Sequence, residues 1–465
     1  MTEQHRFVVV ANRLPVDESV GDDGERTWTR SPGGLVSALH PIVRARGGAW
    51  VGWSGKPGDA PEPFEFDGMW LRPVSLSAQD VDEYYEGESN ATIWPLFHDA
   101  IEQPVFHRGW REAYREVNER FARAAAEVAA ERAFVWVHDY QLLLVPGRLR
   151  ELRPDLRIGF FLHIPFPPVE LFMQLPLRKR FLESLLGADL VGFQRPLGAQ
   201  NFLQLAHLLL HLEPKGETVV FDGRTVTARA FPISIDFQEI EQLATDPAVR
   251  ARAEELRGEL SGDRKLLLGV DRMDYTKGIE HRLKAYRELL ATGQVTTDEV
   301  VLVQVATPSR LRVVQYRELR ERVEREVGRI NGEYGAVGLQ PVQYLFRSFS
   351  REELLALYLN ADVMVVTPLR DGMNLVAKEY VAARTDDTGA LVLSEFTGAA
   401  AELTDAFLVN PHDVDGLKQA LLAALHAPAQ ELSARMHRMR EHVRVNNVDR
   451  WAGDFLSALG MESNH

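Results

Sequence analysis

The sequence predicts an α/β protein made of two doubly wound domains. Its 465 residues exceed what one ordinary hydrophobic core holds and suit two domains of typical size. In both halves, short runs of β-branched and aromatic residues alternate with amphipathic stretches, which indicates parallel sheets with helices on both faces. Ligands of such domains bind at the carboxyl ends of the strands, so we expect the functional site there, in a cleft between the domains.

The first half contains four apolar runs that predict buried strands. Each run is short and apolar on both faces, as expected for a strand in the middle of a parallel sheet. Residues 110–132, between the first two runs, predict a helix. The predicted strands are residues 7–11, 134–137, 158–162 and 189–193.

The second half repeats this order of elements, and the join between the halves is expected near residues 231–239. Residues 311–330 predict an amphipathic helix, because apolar side chains recur there at three- and four-residue spacing. The apolar positions of this helix are Tyr316, Leu319, Val323, Val327 and Ile330. The predicted strands are residues 265–271, 300–306, 342–345, 362–366 and 390–394.

Composition narrows the classes of partner. The formal net charge is -14, from 53 basic and 67 acidic residues, which disfavours nucleic acid as a partner. The absence of cysteine excludes disulfides and thiolate metal sites and fits a reducing cytoplasm. No stretch is long and apolar enough to span a bilayer, and the first residues lack the pattern of a signal peptide. We therefore expect a cytoplasmic protein with no membrane partner.

Residues 271–278, DRMDYTKG, follow directly after a predicted strand, at the end where ligands bind. Arg272 and Lys277 are placed to converge on a diphosphate, and charge-assisted hydrogen bonds of this kind are stronger than neutral ones. The alternative is a solvated loop with a surface ion pair. The position and the two cations favour the phosphate site.

Residues 367–379, TPLRDGMNLVAKE, follow another predicted strand and predict a turn at Asp371 and Gly372 into a helix. Free N–H groups at such a helix start can bind phosphate. Asp371 could hold sugar hydroxyls, and Glu379, in the second turn, could reach a ribose. The alternative is an ordinary helix with Asp371 as its N-cap. The residues alone do not decide between the two.

Three further positions give weaker signals. Gly34, in a glycine pair before an apolar helical stripe, could let backbone approach a phosphate, although such pairs are common in plain turns. Asp139 and His163 each follow a predicted strand, so both should lie at the same edge of the first sheet. They could bind sugar hydroxyls or make a structural hydrogen bond. No segment has the spacing of a metal site.

Together these segments resemble the trehalose-6-phosphate synthase family, in the family's order and over nearly the whole chain. The resemblance implies a GT-B fold, two doubly wound Rossmann-like domains facing a central cleft. Residues 1–235 would bind the acceptor, residues 236–448 would bind the nucleotide sugar, and a helix at 449–465 would return to the first domain. The motifs are ANRLPV, SPGGLVSAL, GWSG, SNATIWP, HDYQLLLVP, HIPFPP, GVDRMDYTKGI, ATPSR, GRINGEYG, TPLRDGMNLVAKEYVA and LSEFTGAAAEL.

The resemblance implies a reaction. Glucose would pass, with retention and without a metal or cofactor, from a nucleoside-diphosphate glucose to glucose 6-phosphate, giving α,α-trehalose 6-phosphate. The leaving phosphate would accept the acceptor's proton, and no protein carboxylate would attack the sugar. Members of the family often form dimers or tetramers, so a homo-oligomer is expected.

The resemblance also assigns roles to single residues. The residues expected to act in catalysis are Arg272, Lys277, Asp371 and His163. The expected donor site comprises Gly34, Arg272, Lys277, Ser348, Phe349, Asp371, Met373, Asn374, Leu375, Val376 and Glu379. The expected acceptor site comprises Arg13, Trp53, Tyr85, Trp94, Asp139 and Arg310, with Arg13 and Arg310 on the phosphate.

One departure from the family pattern concerns the donor base. Ser348 is not the residue typical of uridine-using members, and the sequence is similar to the branch that includes purine-nucleotide users. We therefore expect GDP- or ADP-glucose rather than UDP-glucose. Two other functions stay open from the sequence: pseudo-glycosyl transfer from a cyclitol nucleotide to an amino-cyclitol phosphate, and a non-catalytic regulator that binds sugar phosphates.

Overall fold

The computed structural model describes residues 4–20, 26–31, 33–310 and 312–461. The chain divides into two compact units, Met1–Ile233 with Asp449–His465, and Ser234–Val448. Each unit is built around a sheet that is largely or wholly parallel, with helices in the connections.

The first unit has, within its described residues, a nine-stranded sheet and a separate two-stranded ribbon. The sheet order is β10-β11-β9-β8-β7-β1-β4-β6-β5, parallel except for the two edge pairs β10–β11 and β5–β6, and β2–β3 form the ribbon. The strands are β1 His5–Arg13, β2 Val16–Val20, β3 Arg26–Arg30, β4 Ala49–Trp53, β5 Phe64–Phe66, β6 Met69–Pro73, β7 Ala129–His138, β8 Arg157–Phe161, β9 Leu190–Phe193, β10 Thr218–Phe221 and β11 Arg224–Ala230.

The helices of this unit include a π-helix, Val81–Ile93, whose 13 residues make it unusually long. The α-helices are α1 Gly34–Ala45, α2 Ala78–Asp80, α3 Trp94–Phe97, α4 Arg108–Val128, α5 Val145–Leu152, α6 Val169–Phe172, α7 Arg178–Leu185 and α8 Pro196–Leu210.

The helix predicted over residues 110–132 is confirmed up to Val128, and the prediction is wrong for residues 129–132, which belong to β7. Ala129 pairs with His5 in the parallel β1–β7 ladder, so the chain is already extended there. Arg132 has φ 55°, and its N–H donates to the Asp155 carboxylate at 2.8 Å. Sheet pairing thus overrides the high helix propensity of an alanine-rich segment.

The second unit has a six-stranded, wholly parallel sheet in the order β14-β13-β12-β15-β16-β17. Its strands are β12 Lys265–Arg272, β13 Val300–Thr307, β14 Val342–Leu345, β15 Val363–Val366, β16 Ala390–Ser394 and β17 Phe407–Val409. Its helices are α9 Phe237–Thr245, α10 Pro247–Leu260, α11 Ile279–Ala291, α12 Val314–Tyr334, α13 Arg351–Asn360, α14 Leu375–Ala383, α15 Val414–His426 and α16 Ala429–Val445. Every strand predicted in the two halves is confirmed.

The amphipathic helix predicted over residues 311–330 is α12, and all five of its predicted apolar positions are buried. The helix begins at Val314, so the prediction is wrong for Arg312 and Val313, and Leu311 lies outside the described residues. The helix continues four residues past Ile330, because the Asn331 side chain exchanges two hydrogen bonds with the backbone of Val342 at 2.9 and 3.0 Å. These bonds attach the last turn to the start of β14.

Each sheet has one point at which the strand order reverses direction. In the first unit this switch point lies between β1 and β7, and in the second it lies between β12 and β15. Ligands of doubly wound sheets bind outside the carboxyl ends of the strands at such points. Arg13 ends β1 and Asp139 follows β7, whereas Arg272 ends β12 and Asp371 follows β15.

The last helix, α17 Val448–Ala458, packs against the first unit's sheet. The Phe455 ring stacks on Trp136 with 4.4 Å between centroids, and Trp451 lies 5.1 Å from Trp136. Phe455 occupies space left open by Gly159 and Gly192, where an added Cβ would come within 2.8 and 2.7 Å of its ring. Among the residues described, no helix combines the length and apolar character needed to cross a membrane.

Candidate functional site

At the switch point of the second unit, Lys277 and Asp371 form a close ion pair. The Lys277 Nζ donates to the Asp371 carboxylate at 2.6 Å, and the side chains are only 10% and 14% exposed. Lys277 lies in a 3-10 turn, Tyr275–Lys277, that Gly278 ends at φ 65°. A Cβ at Gly278 would lie 2.1 Å from the Thr367 carbonyl, so only glycine lets the two segments meet. The alternative of a solvated loop is therefore wrong for Lys277.

The start of α14 is capped by Asn374, not by Asp371. Asn374 has φ 78°, and its side-chain oxygen accepts from the Ala377 N–H at 3.2 Å. Its amide also donates to the Asp371 carboxylate at 3.1 Å. The alternative in which Asp371 is the helix cap is thus wrong, and this carboxylate is held beside Lys277 instead.

Two of the three arginines predicted to bind phosphates, Arg272 and Arg310, share one buried carboxylate. Asp274, whose side chain is wholly buried, lies 3.8 Å from Arg272 and 3.5 Å from Arg310. Burial alone would raise the pKa of Asp274, but the charges of Arg310, Arg272 and Lys277 outweigh it and lower that pKa to about 2. The three positive charges of Arg310, Arg272 and Lys277 exceed the two negative charges of Asp274 and Asp371 by one, which favours an anion.

Arg310 is the one residue of the expected acceptor set that belongs to the second unit. It has φ 46° and hydrogen-bonds to the Tyr316 hydroxyl, which in turn donates to Asp274 at 3.3 Å. The Arg310 side chain is 5% exposed, whereas that of Arg272 is 45% exposed. The structure therefore groups Arg310 with Arg272 and places Arg13 in the other unit.

A buried polar network under this site was missed from the sequence. Arg282, whose side chain is 1% exposed, donates to Asp271 at 2.8 Å, to Gln304 at 2.7 Å and to the Thr367 hydroxyl at 3.1 Å. The network joins β12, β13 and the residue after β15, so it fixes the ends of the strands that carry the site. One signal was available, because Asp271 and Gln304 are polar residues within predicted strands that are otherwise largely apolar.

The remaining donor residues lie along α14 and its approach. Met373 is buried, and its carbonyl accepts from the Ala399 N–H at 2.9 Å; Leu375 and Val376 form the first turn. Glu379, half-buried, accepts from the Tyr358 hydroxyl at 3.2 Å. Burial raises the pKa of Glu379, with the charge of Arg351 and the bond from Tyr358 opposing it.

Ser348 and Phe349 lie in the loop between β14 and α13, and Ser348 is exposed. The Arg347 guanidinium lies over the Phe349 ring at 4.5 Å. Ser350 begins α13 with a capping box to Glu353, which fixes where the loop ends. The structure thus presents a serine, an arginine and an aromatic ring together at the edge strand of the sheet.

At the switch point of the first unit there is a cavity of about 390 Å³ lined by Arg13, Tyr85, His138 and Asp139, among others. Arg13 donates to Asp17 at 3.2 Å and lies 5.4 Å from the Trp53 ring, which packs against Tyr85 at 5.9 Å. Four of the expected acceptor residues, Arg13, Trp53, Tyr85 and Asp139, are therefore near one another.

Asp139 adopts a backbone conformation that is almost restricted to glycine, with φ 74° and ψ 172°. Its N–H donates to the Phe161 carbonyl at 2.8 Å, and its carboxylate accepts from the backbone N–H of His163 at 3.2 Å. These bonds tie the ends of β7 and β8 together and hold the strained residue. Such strain costs roughly 1–3 kcal/mol and is typical of functional positions.

His163 faces a second histidine that the sequence analysis did not single out. The Nδ1 of His138 lies 3.1 Å from the Nε2 of His163. Burial lowers the pKa of His163 to about 3, and burial together with the neighbouring His163 lowers that of His138 well below its usual value. Both imidazoles are therefore neutral at physiological pH.

The π-helix carries Tyr85 and leads directly into Trp94, the first residue of α3. The Tyr84 hydroxyl donates to Asn12 at 2.7 Å, and the Tyr140 hydroxyl donates to Asn90 at 2.8 Å. Trp94 is buried and lies 5.4 Å from the Tyr140 ring. Hydrogen bonds to β1 and to the segment after β7 thus hold the π-helix beside the cavity, a position typical of functional sites.

Gly34 is the first residue of α1, and Gly33 is its N-cap, with no side-chain hydrogen bond at that helix start. Gly34, a member of the expected donor site, therefore lies at a helix N-terminus. As for metals, the part of the chain that the structure describes brings together no group of three or more histidine, aspartate or glutamate side chains able to hold an ion.

Comparisons with known proteins identify the family. The model of glycosyltransferase family 20 matches residues 5–461. A trehalose-6-phosphate synthase of Mycolicibacterium gilvum is 59% identical over 468 residues, which cover 97% of this chain and 93% of that protein.

Two similar solved structures come from Burkholderia. The α,α-trehalose-phosphate synthase (UDP-forming) of Burkholderia vietnamiensis is 37% identical with a TM-score of 0.90, covering 99% of this chain and 98% of that one. The Burkholderia xenovorans enzyme in complex with glucose 6-phosphate is 36% identical with a TM-score of 0.89, covering 98% and 100%. These similarities confirm the GT-B fold class. The chain therefore belongs to glycosyltransferase family 20 and is a glycosyltransferase of the trehalose-6-phosphate synthase family.

Proposed function

We propose that this enzyme transfers glucose from a nucleoside-diphosphate glucose to glucose 6-phosphate and forms α,α-trehalose 6-phosphate. The observation that carries the proposal is the set of cations at the second switch point, Arg272 and Lys277, beside the Asp371 carboxylate. The cations suit a diphosphate and the carboxylate suits sugar hydroxyls. Synthases of this name are 59% identical to the chain.

The proposed chemistry needs charge stabilisation more than acid–base catalysis. As the bond from the glucose carbon to the diphosphate breaks, negative charge grows on the phosphate oxygens. Arg272, Lys277 and the N–H groups at the start of α14 would stabilise that charge. The leaving phosphate would accept the proton of the attacking hydroxyl, so no carboxylate nucleophile is required.

The acceptor is assigned to the cavity at the first switch point. Arg13 supplies a cation for the phosphate, and Tyr85, which lines the cavity and packs against Trp53, supplies aromatic surface for a sugar ring. Asp139, held in its strained conformation, would bind acceptor hydroxyls. The Burkholderia xenovorans structure with glucose 6-phosphate supports this choice of acceptor.

For the donor base we propose a purine. Arg347 is exposed, and its guanidinium lies over the Phe349 ring, next to Ser348 in the chain. A guanidinium can donate two hydrogen bonds to O6 and N7 of guanine, an edge that uracil lacks. GDP-glucose, followed by ADP-glucose, should therefore be the better donors, although the Burkholderia vietnamiensis enzyme is described as UDP-forming.

A panel of GDP-, ADP- and UDP-glucose, each incubated with purified protein and glucose 6-phosphate, tests the proposal. The expected product is a disaccharide phosphate with two α-anomeric carbons, identified by mass spectrometry and NMR. If no donor gives this product, the synthase proposal is wrong. Binding of glucose 6-phosphate without turnover would favour the regulator, and turnover restricted to cyclitol substrates would favour pseudo-glycosyl transfer. A preference for UDP-glucose would overturn the purine assignment alone.

A further inference from the structure

We propose that His138 is a positioning residue for His163: its Nδ1–H donates to Nε2 of His163, holds that ring, and makes Nδ1 of His163 the N–H donor offered to substrate. The inference rests on the proposed function and on the role in catalysis that the family resemblance assigns to His163. It assigns a role to a buried side chain that the proposed mechanism does not otherwise use.

The geometry allows one hydrogen bond between the rings and little movement. The ring centroids are 5.3 Å apart at an interplanar angle of 29°, with 3.1 Å between the facing nitrogens. His138 is completely buried, against Trp136 at 4.7 Å. His163 is half-buried between Phe161 at 4.7 Å and Trp451 of α17 at 6.3 Å.

Proton counting then favours one arrangement. Each neutral imidazole carries one N–H, so either His138 Nδ1–H donates to His163, or His163 Nε2–H donates to His138. In the second case the proton of His138 sits on its Nε2, which is buried and has no hydrogen-bond partner among the described residues. A buried N–H without an acceptor is rare in native structures and costly. In the first case that atom is a bare ring nitrogen.

The first arrangement determines what His163 presents. With Nε2 engaged by His138, the proton of His163 must be on Nδ1, which makes no hydrogen bond to the residues the structure describes. The backbone of His163 is also fixed, because its N–H donates to the Asp139 carboxylate. A neutral N–H suits the oxygen of a sugar hydroxyl and introduces no charge beside it. The partner of a functional histidine commonly sets its tautomer in this way.

Two substitutions separate positioning from packing. His138→Asn keeps a donor near the position of Nδ1, whereas His138→Phe keeps a ring of similar size and removes the donor. We expect His138→Phe to lower kcat/KM for the donor by roughly 10–100-fold, the range seen when hydrogen-bond partners of metal-ligating imidazoles are lost. His138→Asn should recover most of that loss. Equal activity of the two variants, with matched melting temperatures, would overturn the proposal.

The tautomer itself can be measured on the unmodified protein. In protein labelled with ¹⁵N-histidine, long-range ¹H–¹⁵N correlation distinguishes Nδ1–H from Nε2–H, and His163→Gln identifies the signals of His163. The expected result is Nδ1–H on His163, and Nε2–H would overturn the proposal even if both His138 variants fail to fold. Because the tautomer measurement needs no turnover, its outcome can be distinguished from a failure of the proposed glucosyl transfer.

Discussion

The two units place different chemistry at equivalent points of similar sheets. The first switch point has one arginine, Arg13, with aromatic rings and two neutral histidines. The second gathers Arg272, Lys277 and Arg310 around Asp274 and Asp371. A sugar needs shape and neutral hydrogen bonds, whereas a leaving diphosphate needs fixed positive charge. The shared fold therefore supplies the location, and the residues after each strand supply the chemistry.

The units also share a backbone feature that does not depend on their charges. In each, a non-glycine residue with positive φ holds the chain at the site: Asp139 at 74° after β7, and Asn374 at 78° before α14. In both cases the side chain makes a hydrogen bond to a backbone N–H nearby. Strain is accepted at both switch points, and side-chain hydrogen bonds maintain it.

The largest expected effect tests the charged side of this comparison. Arg272→Ala should lower kcat by roughly two to three orders of magnitude, because a preorganised donor to the leaving group is lost. Arg272→Lys should recover part of this, since it keeps the charge but not the planar fork. Initial rates with saturating substrates measure the effect. Arg325→Ala, at an exposed position of α12, is the control and should leave kcat unchanged.

Near-normal kcat of Arg272→Ala would contradict the comparison. Catalysis would then not depend on the charge gathered around Asp274.

The next largest expected effect concerns Glu88, in the π-helix beside the cavity at the first switch point. Glu88 is 1% exposed, its Oε2 has no partner among the described residues, and burial raises its pKa from 4.5 to about 7, with Arg111 opposing. Between these values the folded chain keeps a proton that the unfolded chain has lost, so stability falls as pH rises through this window. Above pH 7 the loss should reach roughly 3 kcal/mol.

Glu88→Gln should remove this loss. Denaturant unfolding at pH 5 and pH 8 should show similar stability at the lower pH and a more stable variant at the higher. Glu83→Gln, on the same helix, is the matched control and should give no pH-dependent gain. A Glu88→Gln variant that gains nothing at pH 8 would show that the folded protein accommodates the charge.

The strain at Asp139 can be isolated with two substitutions. Asp139→Gly and Asp139→Ala both remove the carboxylate, but only glycine adopts φ 74° and ψ 172° without cost. The glycine variant should therefore be more stable than the alanine variant by roughly 1–3 kcal/mol in chemical denaturation. Both should bind glucose 6-phosphate poorly. Equal stabilities would mean that the backbone relaxes when the carboxylate is lost.

The smallest expected effect concerns Glu379. Replacing its carboxylate by an amide in Glu379→Gln should raise the donor KM roughly tenfold, the difference between a charged and a neutral hydrogen-bond acceptor. The acceptor KM should not change. Because burial raises the pKa of Glu379, the wild-type donor KM should rise as the pH falls, and the variant should lose that dependence. An effect confined to the acceptor would show that the ribose assignment is wrong.

The sequence predicted the strands better than the elements between them. Buried parallel strands read as uninterrupted apolar runs, so β12 and β13 were recognised nearly to the residue. Strands β4 and β11 were missed because glycine interrupts one and polar residues alternate in the other. Residues 129–132 have the composition of a helix, and the pairing of Ala129 with β1 starts the strand there.

The site was predicted where charge and motif coincide and missed where tertiary contacts decide. Arg272, Lys277 and Asp371 follow strands in recognisable segments, but the capping role of Asn374 depends on its positive φ. The π-helix was not predicted, because its wider turn does not place apolar residues at the three- and four-residue spacing of an amphipathic α-helix. His138 looked like the buried end of a strand, and only the distance to His163 gives it a role.

The packing of α17 has a consequence for how the protein is made. Residues 234–448 form the second unit from one continuous stretch, whereas the first unit also needs Trp451 and Phe455, which are synthesised after that stretch. During synthesis, the second unit can therefore finish folding before α17 has been made. Until then the apolar surface around Trp136 stays exposed. In that interval chaperones could bind the exposed apolar surface of the nascent chain. The first unit would thus be completed last, although its synthesis begins first.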